Sequence, residues 1–285
     1  MSPKATVRTL RSRKRRDGHE PIVMVTAYDQ PTAAIASAAG VDIILVGDTV
    51  ADNVLGYEDT LHVTIDDMEH HVAAVSRAKP ECLIVGDMPW MSYHVSVEDT
   101  VRNAARLIRA GAECVKLEGG RKRVPAIEAI INAEIPVMGH IGLTPQSVHA
   151  MGGMRVQGRN VDAAAVLLDD ANAIVGAGCF AMVIEGVPDA VGTAVTAAVD
   201  VPTIGIGAGS GCDGQVLVFH DVLGLGTRRA PKFVRRYANL AEDATKALAE
   251  FAADVRGGAF PGAAESYESS DELRDALGPK GSPKT

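Results

Sequence analysis

A short apolar, β-branched run that ends in a polar residue or glycine and leads into a helical stretch recurs along the chain. This repeat limits the fold more than any other feature. The runs occupy residues 22–27, 42–46, 82–86, 114–117, 135–139, 180–184 and 202–206, with a weaker eighth at 216–219. Their unbroken apolar character fits strands covered on both faces, as in a parallel sheet. Between them, 33–39, 65–78, 97–109, 124–133, 163–177 and 189–198 carry apolar residues at i, i+3, i+4 spacing. Thr64 and Ser96 precede acidic first turns and read as helix starts, and Gly40, Gly111 and Gly178 read as stops. Such alternation leaves an eight-fold barrel or a doubly wound open sheet. The strand count over 285 residues favours the α/β class with a (β/α)8 TIM barrel. Nothing like a linker interrupts residues 20–255, so a single barrel domain with an N-terminal helical extension is expected over 1–261. Segment 262–285, rich in Ser, Glu, Gly and Pro, is expected to be a flexible polar tail with a short helix near Asp271–Leu277.

Composition narrows the function. Hydrophobic residues make up 47% and charged residues 22%, enough for a substantial core. Twenty-eight basic against thirty-six acidic residues leave a net charge of −8, a poor start for neutralising nucleic-acid phosphates. No apolar run nears the roughly 18 residues of a membrane span. No secretory signal follows the basic cluster at 11–16, which reads as a solvated first-helix face. Cys82, Cys114, Cys179 and Cys212 form no C-x-x-C pair and read as buried free thiols of a reducing compartment, so a cytoplasmic location is expected.

In a barrel of this kind the active site lies at the C-terminal strand ends. Those ends read V-G-D-T (Asp48, Thr49), V-G-D-M (Asp87), V-K-L-E (Lys116, Glu118), G-H (His140) and I-E-G (Glu185). Ionisable groups close five successive strands. Carboxylates gathered at one mouth repel unless a cation joins them, and oxygen donors suit a hard cation. Magnesium is the expected metal, because it needs only one or two carboxylates and keeps room for a chelating substrate. His70 and His71 are adjacent on a predicted helix, point apart, and read as surface or packing residues. The glycines of 204–214 contain G-x-G-x-x-G at Gly209, Gly211 and Gly214. They follow a late strand and lead into another apolar run, so a tight backbone turn is expected rather than a dinucleotide site.

A longer series of motifs runs in order through residues 20–261. It includes T-A-Y-D at 26–29, V-G-D-T at 46–49, G-Y-E-D-T-L at 56–61 and G-D-M-P at 86–89. V-K-L-E-G-G at 115–120, G-H-I-G-L-T-P-Q at 139–146 and V-Q-G-R at 156–159 follow, then I-G-I-G-A-G at 204–209, D-G-Q at 213–215 and P-K-F-V-R-R-Y at 231–237. In these the chain resembles the ketopantoate (3-methyl-2-oxobutanoate) hydroxymethyltransferases.

The resemblance implies a one-carbon transferase on a (β/α)8 barrel. It would take α-ketoisovalerate and 5,10-methylenetetrahydrofolate to ketopantoate and tetrahydrofolate, on the way to pantothenate and coenzyme A. It implies that Asp48 and Asp87 ligate Mg2+ and that Glu118 reaches the ion through water. Thr49 and Lys116 would hold the substrate carboxylate, Glu185 would be the base, and His140 would lie near the hydroxymethyl end of the product. It also implies a homo-oligomer, often a decamer, with no nucleic-acid or membrane partner. The chemistry is coherent, because a metal chelated by a 2-oxo acid stabilises the enolate formed when C3 loses a proton, and a carboxylate such as Glu185 can take that proton. Two positions depart from the family pattern: Thr49 stands where many members have Ser, and Gln30–Pro31 replaces an aromatic pair. The rival reading is a magnesium-dependent 2-oxo acid lyase or mutase on a similar barrel. Such enzymes use a loop Cys in a K-K-C-G-H-like context, which is not found here. A non-catalytic paralogue would have lost a site residue, and none is lost.

Overall fold

Eight parallel strands close on themselves in the computed structural model, which describes residues 4–226 and 230–277. β1 (Ile22–Thr26), β2 (Ile43–Val46), β3 (Leu83–Asp87), β4 (Cys114–Lys116), β5 (Val137–Gly142), β6 (Ala181–Glu185), β7 (Thr203–Ile206) and β8 (Gly214–Leu217) pair in that order. β8 returns to β1 with Ile22 opposite Gly214. This is the expected (β/α)8 barrel, and closure excludes the open sheet. α1 (Val7–Arg11) precedes the barrel. α2 (Gln30–Ala38), α3 (Ile65–Ser76), α4 (Val97–Ala110) and α5 (Val124–Asn132) follow the first four strands. Short α6 (Val148–Met151) and α7 (Val161–Gly176) follow β5, α8 (Asp189–Ala198) follows β6, and α9 (Phe219–Leu223) follows β8.

Local chemistry sets the boundaries. Thr64 and Asp67 cap α3 reciprocally, the Thr64 side chain accepting from Asp67 N–H and the Asp67 carboxylate from Thr64 N–H. Ser96 accepts from Asp99 N–H at 3.1 Å to open α4. Gly111 ends α4 in the left-handed region, which only glycine enters without strain. α2 begins earlier than its apolar pattern does, because Asp29 caps it and Pro31 fits its first turn. β5 begins after Pro136, which lacks an N–H for the ladder, and runs on past His140. β8 lies two residues upstream of its apolar run, starting at Gly214, where an added Cβ would stand 2.4 Å from Ile22 O.

No helix separates β7 from β8. The glycine segment instead packs flush on α8: a Cβ on Gly209 would lie 2.5 Å from Asp189 Cβ, and one on Gly211 would lie 2.1 Å from Thr193 Oγ1. The G-x-G-x-x-G spacing therefore serves close approach, as the sequence context indicates.

Strand side chains alternate between two cores. Ile22, Met24, Ile43, Leu45, Leu83, Val85, Cys114, Met138, Val183, Ile204 and Val216 fill the interior, joined by Leu10 of α1. Ile44, Val46, Ile84, Val115, Val137, Met182 and Ile184 face outward to helix residues such as Val72, Leu107, Ile127 and Ile174. All four cysteines are buried and free, and burial pushes the Cys82 thiol up to about 11.

The basic run at 11–16 departs from its expected role. Lys14 is buried (2% exposed). Its Nζ lies 2.8 Å from Asp213 Oδ2 and donates to Thr196 O (2.8 Å) and Val201 O (3.1 Å). Arg15 and Arg16 donate to carbonyls of Ser210 and Ala197. The run is a docking element, because a buried acid late in the chain needs a cation and the end of α8 presents free carbonyls.

The chain divides into two compact units, residues 1–238 with the barrel and 239–285. The second holds α10 (Leu240–Gly257), which matches none of the helices expected from the sequence, and α11 (Asp271–Leu277) at the expected short helix. The compositional boundary at 261 falls inside this second unit, and residues 278–285 of the expected tail lie outside the described residues. Among the described residues no helix is long and apolar enough to cross a membrane.

Candidate active site

Alternation along the strands carries four ionisable side chains to the inner face of the barrel mouth. Asp87 lies two residues past interior Val85, Lys116 past Cys114, His140 past Met138 and Glu185 past Val183. Asp48 and Glu118 join them from just beyond β2 and β4. Asp48, Asp87, Lys116, Glu118 and His140 are buried, and the Glu185 side chain is 16% exposed. All six charged or titratable candidates from the sequence therefore meet at one mouth.

The contacts are close. Lys116 Nζ lies 2.7 Å from Asp87 Oδ1 and 3.3 Å from His140 Nδ1. Asp48 N–H donates to Asp87 Oδ2 at 3.2 Å. Glu118 Oε1 is 3.5 Å from His140 Nδ1, and Glu185 Oε2 is 3.2 Å from His140 Nε2. Neither Asp87 Oδ1 nor His140 Nε2 meets hydrogen-bond geometry despite these short approaches, so both are buried polar atoms without a hydrogen-bond partner. Thr49 Oγ1 shares a hydrogen bond with Tyr28 OH at 2.8 Å. His71 Nδ1 contacts Tyr28 O at 2.7 Å while His70 is exposed, so the two histidines serve surface and packing.

Burial dominates the electrostatics. It raises the Asp48 carboxyl to about 8, with Asp87 adding to the rise, and raises Glu118 well above the carboxylate range, with Asp48 adding. Burial works against the Lys116 ammonium, but Asp87, Glu118 and Asp48 outweigh it and hold Lys116 charged. Burial, then Lys116, lowers His140, so the imidazole is neutral.

One lysine faces four carboxyl groups, and two of those carboxyls favour protonation in the absence of another cation. Among the described residues no three His, Cys, Asp or Glu side chains form a ready metal cage. A two-carboxylate arrangement differs from such a cage. Asp48 and Asp87 sit together and offer only oxygen, and Asp87 Oδ1 has the Lys116 ammonium against it but no hydrogen bond of good geometry. This donor set fits magnesium, which completes its shell with water and substrate oxygens.

Two site residues were missed from the sequence. Gln146 is buried in the loop after β5. Its Nε2 donates to Asp48 Oδ2 (2.8 Å) and Met88 O (3.0 Å), and its backbone N–H donates to Glu118 Oε2 (3.0 Å). Tyr93, also buried, donates to Gln146 Oε1 at 2.5 Å and accepts from Glu118 N–H at 3.2 Å. Tyr93 thus sets the amide so that its NH2 faces Asp48. The stretch T-P-Q closing the motif at 139–146 was the available signal for Gln146.

The family description ketopantoate hydroxymethyltransferase matches residues 4–263. A 3-methyl-2-oxobutanoate hydroxymethyltransferase of Moorella thermoacetica is 55% identical over 250 residues, covering 87% of this chain and 93% of that protein. The 3-methyl-2-oxobutanoate hydroxymethyltransferase 2 of Bradyrhizobium diazoefficiens is 53% identical over 262 residues, covering 92% and 89%. Among solved structures, phosphonopyruvate hydrolase superposes with a TM-score of 0.60 at 14% identity, covering 95% of this chain and 94% of that one. 2,3-Dimethylmalate lyase, a PEP mutase/isocitrate lyase superfamily member, gives 0.60 at 17%, covering 97% and 94%. At such identities these structures speak for the fold alone, so the lyase reading gains no chemical support from them. The match over nearly the whole chain, at about half identity to full-length relatives, shows that this chain belongs to the ketopantoate hydroxymethyltransferase family.

Proposed function

We propose that the chain transfers a hydroxymethyl group from 5,10-methylenetetrahydrofolate to 3-methyl-2-oxobutanoate (α-ketoisovalerate), with one water balancing the reaction, to give ketopantoate and tetrahydrofolate. The observation that carries this reading is the convergence of Asp48, Asp87, Lys116, Glu118, His140 and Glu185 at one barrel mouth in a chain of this family. Asp48 and Asp87 would hold Mg2+, with Glu118 reaching it through water. The bound ion would supply positive charge for the keto and carboxylate oxygens of the 2-oxo acid. Lys116 and Thr49 bind the substrate carboxylate. Glu185 takes the proton from C3. Neutral His140 stands beside Glu185, at the end where the new hydroxymethyl carbon forms. Cytoplasmic location and assembly as a homo-oligomer, a decamer by family analogy, belong to the same reading. Light scattering reads the size of the assembly.

NMR of 3-methyl-2-oxobutanoate in D2O, with magnesium and no carrier, tests the first half-reaction. Loss of the C3 proton signal that stops on adding a chelator is expected. Exchange unaffected by metal removal would contradict the proposed metal site.

Gln146→Leu keeps the volume and removes the amide that bonds Asp48 and Tyr93. Magnesium affinity measured by calorimetry in the presence of the 2-oxo acid is expected to weaken about 10- to 100-fold, as for partners that orient metal ligands. Affinity within error of wild type would show that Gln146 does not orient Asp48.

A further inference from the structure

Arg123 takes no part in the chemistry above, yet its side chain is held in a defined place at the barrel mouth. Its stem crosses Gly119, where an added Cβ would stand 2.8 Å from Arg123 Cγ. Its guanidinium carbon lies 5.3 Å from the centroid of the Tyr93 ring. Gly119 directly follows Glu118, and its N–H donates to His140 O at 2.8 Å. Leu143 N–H donates to Glu185 O at 2.7 Å. These bonds make the ends of β4, β5 and β6 one continuous wall, with Glu185 at one side and Arg123 at the other.

A guanidinium carries five N–H donors in a fork that matches a carboxylate. Among the described residues none accepts a hydrogen bond from the Arg123 side chain, whose recorded contact is the face of Tyr93. Asp170, packed against the same turn from α7, receives the Arg121 N–H at 2.7 Å instead. Nearby His94 is uncharged at neutral pH, because burial and Arg123 push it down to about 4. Arg121 and Lys122 on the same turn are exposed, so the positive field extends into solvent.

We propose that Arg123 anchors a carboxylate of the reduced-pterin carrier: one of the two on its glutamyl group, at the end remote from the methylene that is transferred. This inference rests on the transfer reaction proposed above. A carrier that delivers its methylene to C3 beside Glu185 must lie with its pterin end inward and its anionic end toward solvent. The β4–β6 wall offers that path, and Arg123 is the half-buried cation of the basic turn beside its outer end. Lys116 and Thr49 are taken by the carboxylate of the 2-oxo acid in the proposed reaction, and of the cations on this turn Arg123 is the one held in place, over Tyr93 and Gly119, for a second anion.

Arg123→Met keeps a stem over Gly119 and the Tyr93 ring while removing every donor. In steady-state kinetics of the full-length protein, KM for 5,10-methylenetetrahydrofolate is expected to rise about 10- to 100-fold, the worth of a charge-assisted carboxylate contact. The KM for the 2-oxo acid and the carrier-free C3 exchange rate are expected to stay within about twofold, and Arg123→Lys to recover part of the loss. With the amide of 5,10-methylenetetrahydropteroate, which has neither the glutamate nor a benzoate carboxylate, the wild type should show the raised KM and the variant no further rise. An unchanged carrier KM in Arg123→Met overturns the proposal. An equal loss with both carriers, or a loss of C3 exchange, overturns it too, because Arg123 would then only support Tyr93. A wild type that exchanges the C3 proton but never consumes methylenetetrahydrofolate would instead remove the transfer reading itself, which is a distinguishable failure.

Discussion

Replacing Glu185 by Gln is expected to slow C3 proton exchange of 3-methyl-2-oxobutanoate by about 10²- to 10⁴-fold, the usual contribution of a positioned base. The amide keeps the size and place of the carboxylate at the end of β6 but cannot accept a proton. The other groups nearby are poor substitutes. Lys116 is held charged by Asp87, Glu118 and Asp48, and burial together with Lys116 makes His140 a weaker base than a free imidazole. Glu185 makes no contact with Asp48, Asp87 or Lys116 short enough to be a hydrogen bond or ion pair. Binding of the 2-oxo acid, read by calorimetry, should therefore persist. Exchange at the wild-type rate in Glu185→Gln would move the base elsewhere and undo the assignment of roles.

The second large effect concerns stability, far from the mouth. Lys14→Met is expected to destabilise the barrel by about 3–5 kcal/mol, because it strands the buried Asp213 carboxylate. For a unit of this size that lowers Tm on the order of 10 °C. Asp213 keeps three donors, Arg15 N–H (2.8 Å), Thr203 N–H (3.0 Å) and Thr203 Oγ1 (3.1 Å), which hold the cost toward the lower figure. Adding Asp213→Asn to Lys14→Met should recover part of the loss, since no buried charge then stands alone. Thermal denaturation of the three proteins checks both statements. An unchanged Tm in Lys14→Met would return the basic run to the solvated role its composition implied.

The barrel was legible because a strand buried on both faces leaves a continuous apolar run, and seven such runs alternate with amphipathic stretches. The site was legible for the same reason. An ionisable residue at an apolar run stands out: Asp87, His140 and Glu185 each directly follow one, and Lys116 interrupts one. Gln146 and Tyr93 did not stand out, because they sit in loops and earn their places through contacts with Asp48 and Glu118 from other strands. Lys14 was misread for a related reason. A basic run looks solvated unless its acid partner is known, and Asp213 arrives only at β8. The start of β8 was displaced because Gly214, which carries no hydrophobic signal, is the residue small enough to lie against Ile22. Periodicity reports what faces a core, whereas polar contacts between distant loops leave no period to read.

The most direct test of the central claim is product formation by the full-length protein supplied with magnesium, 3-methyl-2-oxobutanoate and 5,10-methylenetetrahydrofolate. Ketopantoate followed by NMR and tetrahydrofolate followed by absorbance should appear in equal amounts, and both should stop on adding a chelator. Consumption of the 2-oxo acid with no tetrahydrofolate formed would contradict the account and favour the rival reading of a magnesium-dependent 2-oxo acid lyase or mutase.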